Sequence, residues 1–157
     1  MTLGVVDAVV DETRAYGDRN LETGGFLTAA TDSDDITGAA VAGTRGIVRR
    51  ADLFQISERA LARLFSYADD KGLWMPVQFH SHRFGPGMSL TDALHGLRVE
   101  GFISTILPRF ADPPRDISQW GWWQFTDGEW FPFPAISIDR QKLGPVIVFD
   151  EDGVRER

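Results

Sequence analysis

Residues 73–82, Leu-Trp-Met-Pro-Val-Gln-Phe-His-Ser-His, run through a short glycine-proline loop into Ser89-Leu90-Thr91-Asp92, and this stretch leaves the chain few ways to fold locally. The apolar run Leu73-Trp74-Met75-Pro76-Val77 reads as a strand. A strand turns alternate side chains to opposite faces, so Gln78, His80 and His82 point the same way. Two imidazoles on one strand face can bind a single metal ion, and an Asp at the start of the next helix could close the set. Neutral imidazole nitrogen plus carboxylate oxygen suits zinc. Three protein ligands leave the fourth position for water, which marks a catalytic site rather than a structural one. The same residues have a plainer reading. A His-x-His pair can be two polar residues finishing a strand, and Ser89-x-x-Asp92 can be a helix cap. The two readings are compatible, because a capped helix start holds its Asp rigidly towards the strand end.

His80-Ser81-His82, then Ser89-Leu90-Thr91-Asp92, with Glu22-Thr23-Gly24-Gly25-Phe26-Leu27 upstream, resembles the JAB/MPN (JAMM) metalloprotease domain. That family's pattern is a Glu on an early strand, then His-x-His, then Ser-x-x-Asp. The resemblance extends from about residue 20 to about residue 108. It implies zinc held by His80, His82 and Asp92, Glu22 as general base, and Ser89 as partner of the oxyanion. Without the downstream motif, Glu22 would be one of 23 acidic residues and a solvated loop Glu. The chain departs from the pattern in two ways. Arg83 stands where the family usually has Pro, and the six residues 83–88 make the loop one residue shorter than usual. Gly85, Pro86 and Gly87 can absorb the difference, so the site is expected to be intact.

Family substrates are typically ubiquitin or ubiquitin-like proteins joined to an amine. A chain without partner domains looks more like the prokaryotic members, which process ubiquitin-like or sulfur-carrier proteins. The resemblance therefore implies a zinc isopeptidase that cuts after the C-terminus of such a protein. An extended tail is expected beside the strand that ends at His82, paired through its edge. The short loops 83–88 and 109–119 imply weak discrimination among linkages. Two alternatives remain: a zinc amidohydrolase acting on small peptides, and a non-catalytic MPN scaffold for protein association. Scaffold members lack the ligand residues, whereas this chain keeps all five site residues. A serine nucleophile is disfavoured, since only His95 is left to serve it and a solvated helix histidine fits His95 better.

Length and composition fit one α/β domain over residues 1–157, and the resemblance implies an MPN/JAB-like fold with a mixed, curved sheet flanked by helices. An amphipathic helix is predicted over 3–16, strands over 24–30 and 36–48, and a helix opening at Ser57 and stopping near Gly72. After the His-bearing strand come a helix over 89–99, a buried strand over 102–107 and a loop over 109–119. A hairpin follows, with arms at 120–125 and 129–133 around Asp127-Gly128. Its aromatic residues read as core rather than as a peptide shelf or dimer surface. A net charge of −7 leaves no basic stripe, so nucleic acid is not an expected partner. With no Cys, there is neither a disulfide framework nor a thiol nucleophile. No membrane-spanning stretch and no signal peptide are read, a cytoplasmic location is the expectation, and no pattern sets an oligomeric state.

Overall fold

The computed structural model describes residues 1–137 and 145–157. Helix α1 (Leu3–Gly17) starts at Thr2, whose side chain accepts a hydrogen bond from the Val5 amide. Its apolar pairs Val5, Val6 and Val9, Val10 recur at helical spacing and are fully buried. Strands β1 (Gly24–Ala30) and β2 (Ile36–Ala42) follow, then β3 (Ile47–Arg50), β4 (Leu53–Ile56), α2 (Glu58–Asp70) and β5 (Leu73–Ser81). The second half contains α3 (Leu90–His95), β6 (Ile103–Leu107), β7 (Gly121–Thr126), β8 (Glu129–Pro132), β9 (Val146–Asp150) and β10 (Gly153–Glu156).

Among the described residues, eight strands form one mixed sheet in the order β10-β9-β2-β1-β5-β6-β7-β8, and β3 and β4 pair separately. The β1–β5 pair is antiparallel, whereas β5–β6 and β2–β9 are parallel. One face, with Leu27, Val41, Val77 and Phe79, packs against α1. The other, with Phe26, Ala40 and Phe149, packs against Ala60 and Leu64 of α2. Strand alternation separates Phe26 from Leu27, and it turns Gln78 and His80 away from α1. The register slips on both sides of β1 near Thr28 and Ala29. On the β5 side, Met75 and Pro76 fall in the slip, and pairing with β6 begins only at Val77. A proline inside a central strand is therefore accommodated at a bulge.

Several expectations from sequence change. The strand read over 36–48 is two strands, because the chain turns between Ala42 and Ile47 with Gly46 at a φ of +75°. After that turn the chain leaves the main sheet and forms the unforeseen β3–β4 hairpin. The helix read over 89–99 stops at His95, because Gly96 is extended and its N–H closes on the Asp92 carbonyl. A short 3-10 turn, Ile117–Gln119, lies in the loop read over 109–119. The hairpin around Asp127-Gly128 forms with positive φ at both turn residues. Of its aromatics, Trp120, Trp122 and Phe125 are buried, while Phe131 is exposed.

One geometric expectation fails. β5 has no free edge, since β1 and β6 pair with its two sides and the His82 amide donates to the Leu107 carbonyl. An extended tail cannot add to that strand.

Candidate metal centre

His80 is the penultimate residue of β5, and His82 follows the strand's end. Ser89 caps α3 and Asp92 sits at its third position, each bonding back to the other. The Asp92 amide donates to Ser89 Oγ (3.1 Å), and the Ser89 amide donates to Asp92 Oδ2 (3.0 Å). This capping box turns the Asp92 carboxylate towards the strand end. His80 Nε2 lies 3.1 Å from His82 Nε2 and 3.3 Å from Asp92 Oδ1, and His82 Nε2 lies 3.1 Å from Asp92 Oδ2. Ligands about 2.0–2.1 Å from a tetrahedral ion stand about 3.3 Å from one another. Each histidine thus stands at about that spacing from the other and from one Asp92 oxygen, and the three side chains form a possible metal-binding group. Asp92 offers a different oxygen to each histidine.

The surroundings hold these groups in place. The Gly85 carbonyl stands near the His82 ring, on the side where an outer contact can orient an imidazole. The loop 83–88 is itself pinned: the Phe84 carbonyl accepts from the Arg109 amide (3.1 Å), and the Pro86 carbonyl accepts from Trp123 Nε1 (3.4 Å). Arg83 lies over the Phe84 ring, and the short loop does not prevent the two histidines and Asp92 from converging. Burial pushes His82 down, but the hydrogen bond and charge of Asp92, helped by Glu22 and Gly85, outweigh it and the net shift is upward. Burial likewise works against the Asp92 carboxylate. Hydrogen bonds from His80 and His82, the charge of His80 and the Ser89 hydroxyl overcome it and hold the carboxyl well below the usual range.

Glu22 reaches the same place from a distant part of the chain. Ser81 Oγ accepts from the Thr23 amide (3.0 Å), and the Ser81 amide donates to the Thr23 carbonyl (2.9 Å). The antiparallel register therefore sets Glu22 opposite His82. Gly24 permits the close approach. A Cβ there would meet the Phe79 carbonyl oxygen at 2.4 Å and the Phe54 ring at 2.6 Å. Glu22 is only 6% exposed, and burial pushes its carboxyl up to about 7, opposed by His82 and reinforced by Asp92 and Asp52. Ser89 Oγ donates to Asp92 Oδ2 at 2.5 Å, so its hydroxyl proton is engaged with the carboxylate.

A cleft of about 700 Å³ opens beside His80 and Asp92. Asp52, Leu53, Phe54 and Ile56 of the β3–β4 hairpin line one side, and Leu97 and Trp130 contribute further on. His95 is exposed and lines it as well. No protein-family model matches the chain, and no curated protein matches it. Solved structures do. The solution structure of a protein from Desulfitobacterium hafniense is 15% identical, with a TM-score of 0.66 over 88% of this chain and 90% of that one. A protein from Salinibacter ruber is 22% identical, with a TM-score of 0.52 over 87% and 91% of the two chains. At such identities the likeness is one of fold.

Sequence reasoning did not single out Ser81, Arg49 or the β4 wall. Ser81 was visible as the residue between the histidines, but the atom it bonds depends on which strand lies alongside. Arg49 and β4 carried no local signal.

Proposed function

We propose that the protein is a zinc-dependent isopeptidase with a JAB/MPN-like fold, hydrolysing the amide bond that follows the C-terminus of a ubiquitin-like or sulfur-carrier protein. The observation that carries this reading is the convergence of His80, His82 and Asp92 within reach of one ion, with the buried Glu22 opposite His82. Held by His80, His82 and Asp92, a zinc ion would supply Lewis acidity and would lower the pKa of a bound water to roughly 7. Glu22 takes a proton from the attacking water and returns it to the leaving nitrogen, two tasks for which a pKa near neutrality suits one carboxyl. A nearby positive ion would pull that pKa downward, keeping Glu22 ionised and ready to accept. Ser89 holds Asp92 in its ligating orientation. Turned from Asp92 towards the carbonyl, its hydroxyl would serve as oxyanion donor.

The substrate tail runs through the cleft between the β3–β4 hairpin and the α2 side of the sheet, with β4 as the strand edge that supplies backbone hydrogen bonds. Short loops beyond the metal group leave little to grip a second protein, so recognition falls on the protein whose tail is bound. The test is a panel of differently linked ubiquitin-like conjugates and matched short amide peptides, assayed side by side. Similar rates across linkages are expected, with peptides poor. Cleavage of peptides alone, or linkage rates differing by more than about a hundredfold, nearly 3 kcal/mol of transition-state discrimination, would overturn this substrate assignment.

A further inference from the structure

We infer that Arg49 is a positioning residue: its guanidinium clamps the Glu22-Thr23 segment against the body of the fold and so fixes Glu22 relative to the metal group. Arg49 lies on β3, outside the main sheet, yet it spends its donors on that sheet. Its Nε donates to Thr23 Oγ1 (3.2 Å), one guanidinium nitrogen to the Gly43 carbonyl (2.7 Å) and the other to the Ala42 carbonyl (2.7 Å). The Tyr16 ring of α1 lies 4.0 Å from the guanidinium carbon, and the Phe54 ring of β4 lies 5.8 Å away. One planar side chain therefore ties together the end of α1, the end of β2, the β3–β4 hairpin and the residue next to Glu22.

Thr23 is fully buried and is held from two directions. Ser81, between the two histidines, takes its main chain, and Arg49 takes its hydroxyl. The Glu22 amide is likewise bound, donating to the carbonyl of Arg50, the next residue after Arg49 (2.8 Å). No hydrogen bond from a described residue orients the Glu22 carboxyl itself. Its position thus depends on how firmly its backbone is held. The Arg fork matters as well as its charge, because a lysine ammonium cannot reach three acceptors in one plane.

The kinetic part rests on the hydrolase reading, whereas the clamp can be measured without turnover. The variants are Arg49→Lys, which keeps the charge beside Tyr16, Thr23→Val, which removes only the hydroxyl acceptor, and the double variant. Amide hydrogen exchange is read at Glu22 and Thr23 in metal-free and zinc-loaded full-length protein, with Leu64 in α2 as a reference for global opening. Both single variants are expected to speed exchange at Glu22 and Thr23 while Leu64 stays protected. Zinc content and KM should stay at wild-type values while kcat falls by roughly 10- to 100-fold, the scale of a misplaced catalytic group. The double variant should be no worse than the worse single one, since both remove the same contact. Unchanged exchange at Glu22 and Thr23 in both single variants overturns the clamp. Faster exchange with undiminished kcat overturns the positioning role. A wild-type protein inactive on every substrate would count against the hydrolase reading, and exchange alone would then decide the clamp.

Discussion

A carboxyl that is 6% exposed, with no donor among the described residues, is costly to ionise, and Glu22 rises to about 7 for that reason. The stability consequence has a definite sign. Folded metal-free protein holds the Glu22 proton up to about pH 7, while the unfolded chain releases it near pH 4.5. This raised pKa therefore contributes stability that is fully present below pH 4.5 and lost as pH rises to 7, by about 3 kcal/mol in all. Glu22→Gln removes the titration. In denaturant melts of chelator-treated protein the variant should gain on wild type by about that amount between pH 4.5 and 8. Parallel pH profiles would show that Glu22 does not titrate where its burial implies. With zinc present the same variant should keep its metal and lose turnover by on the order of 100-fold or more, as removal of a general base does. Near-normal hydrolysis would remove Glu22 from the mechanism.

The six residues of α3 bury no side chain, and a free peptide of that length would not stay helical. The capping box supplies what packing does not, and the same bonds aim the Asp92 carboxylate. Ser89→Ala thus has two effects. Loss of the cap should cost about 1 kcal/mol, and loss of the Ser89–Asp92 bond should weaken metal binding by roughly 10- to 100-fold. A competition titration against a chelator of known affinity measures the second effect directly. Unchanged affinity would mean that Asp92 is oriented without the Ser89 hydroxyl. Residues 36–48 read as one strand on the β-branched and small apolar residues at both ends, whereas Gly43-Thr44-Arg45-Gly46 turns the chain and pairing with β4 makes a separate hairpin of the second part.

For the molecule as a whole, an ion held by His80, His82 and Asp92 would tie β5 to α3 and should stabilise the folded chain by mass action. At free zinc a thousandfold above Kd the gain is about 4 kcal/mol, roughly 10 °C in Tm for a chain of this size. Thermal melts with zinc and with chelator should differ by that order, and His80→Ala should abolish the difference. An equal shift in wild type and His80→Ala would place zinc elsewhere. Acid should reverse the binding, because imidazoles must be neutral to ligate. The upward shift of His82 makes proton competition begin above the ordinary histidine range, so apparent zinc affinity should already weaken as pH falls towards 6.5. Among the described residues no helix is long and apolar enough to cross a membrane.

The convergence of His80, His82 and Asp92 was legible in sequence because every rule that builds it is local. Strand alternation puts His80 and His82 on one face, a tight loop bounds the distance, and a capping box turns Asp92 back, all within residues 80–92. The helices, most strands and the mixed α/β class were legible for the same reason: burial on one face leaves a periodic trace. Tertiary structure decided what no local pattern records. Glu22 meets His82 only because β1 pairs with β5 in one register, set by burying Phe26 and Leu27 on opposite faces of the sheet. The same pairing, with β6 on the other side, closed the edge that an isolated strand would have offered, leaving β4 to line the cleft. Arg49 became a clamp when folding brought Tyr16, Ala42, Gly43 and Thr23 around one guanidinium. Spacing along the chain sets which groups can meet nearby, but strand register and core packing set which distant ones do.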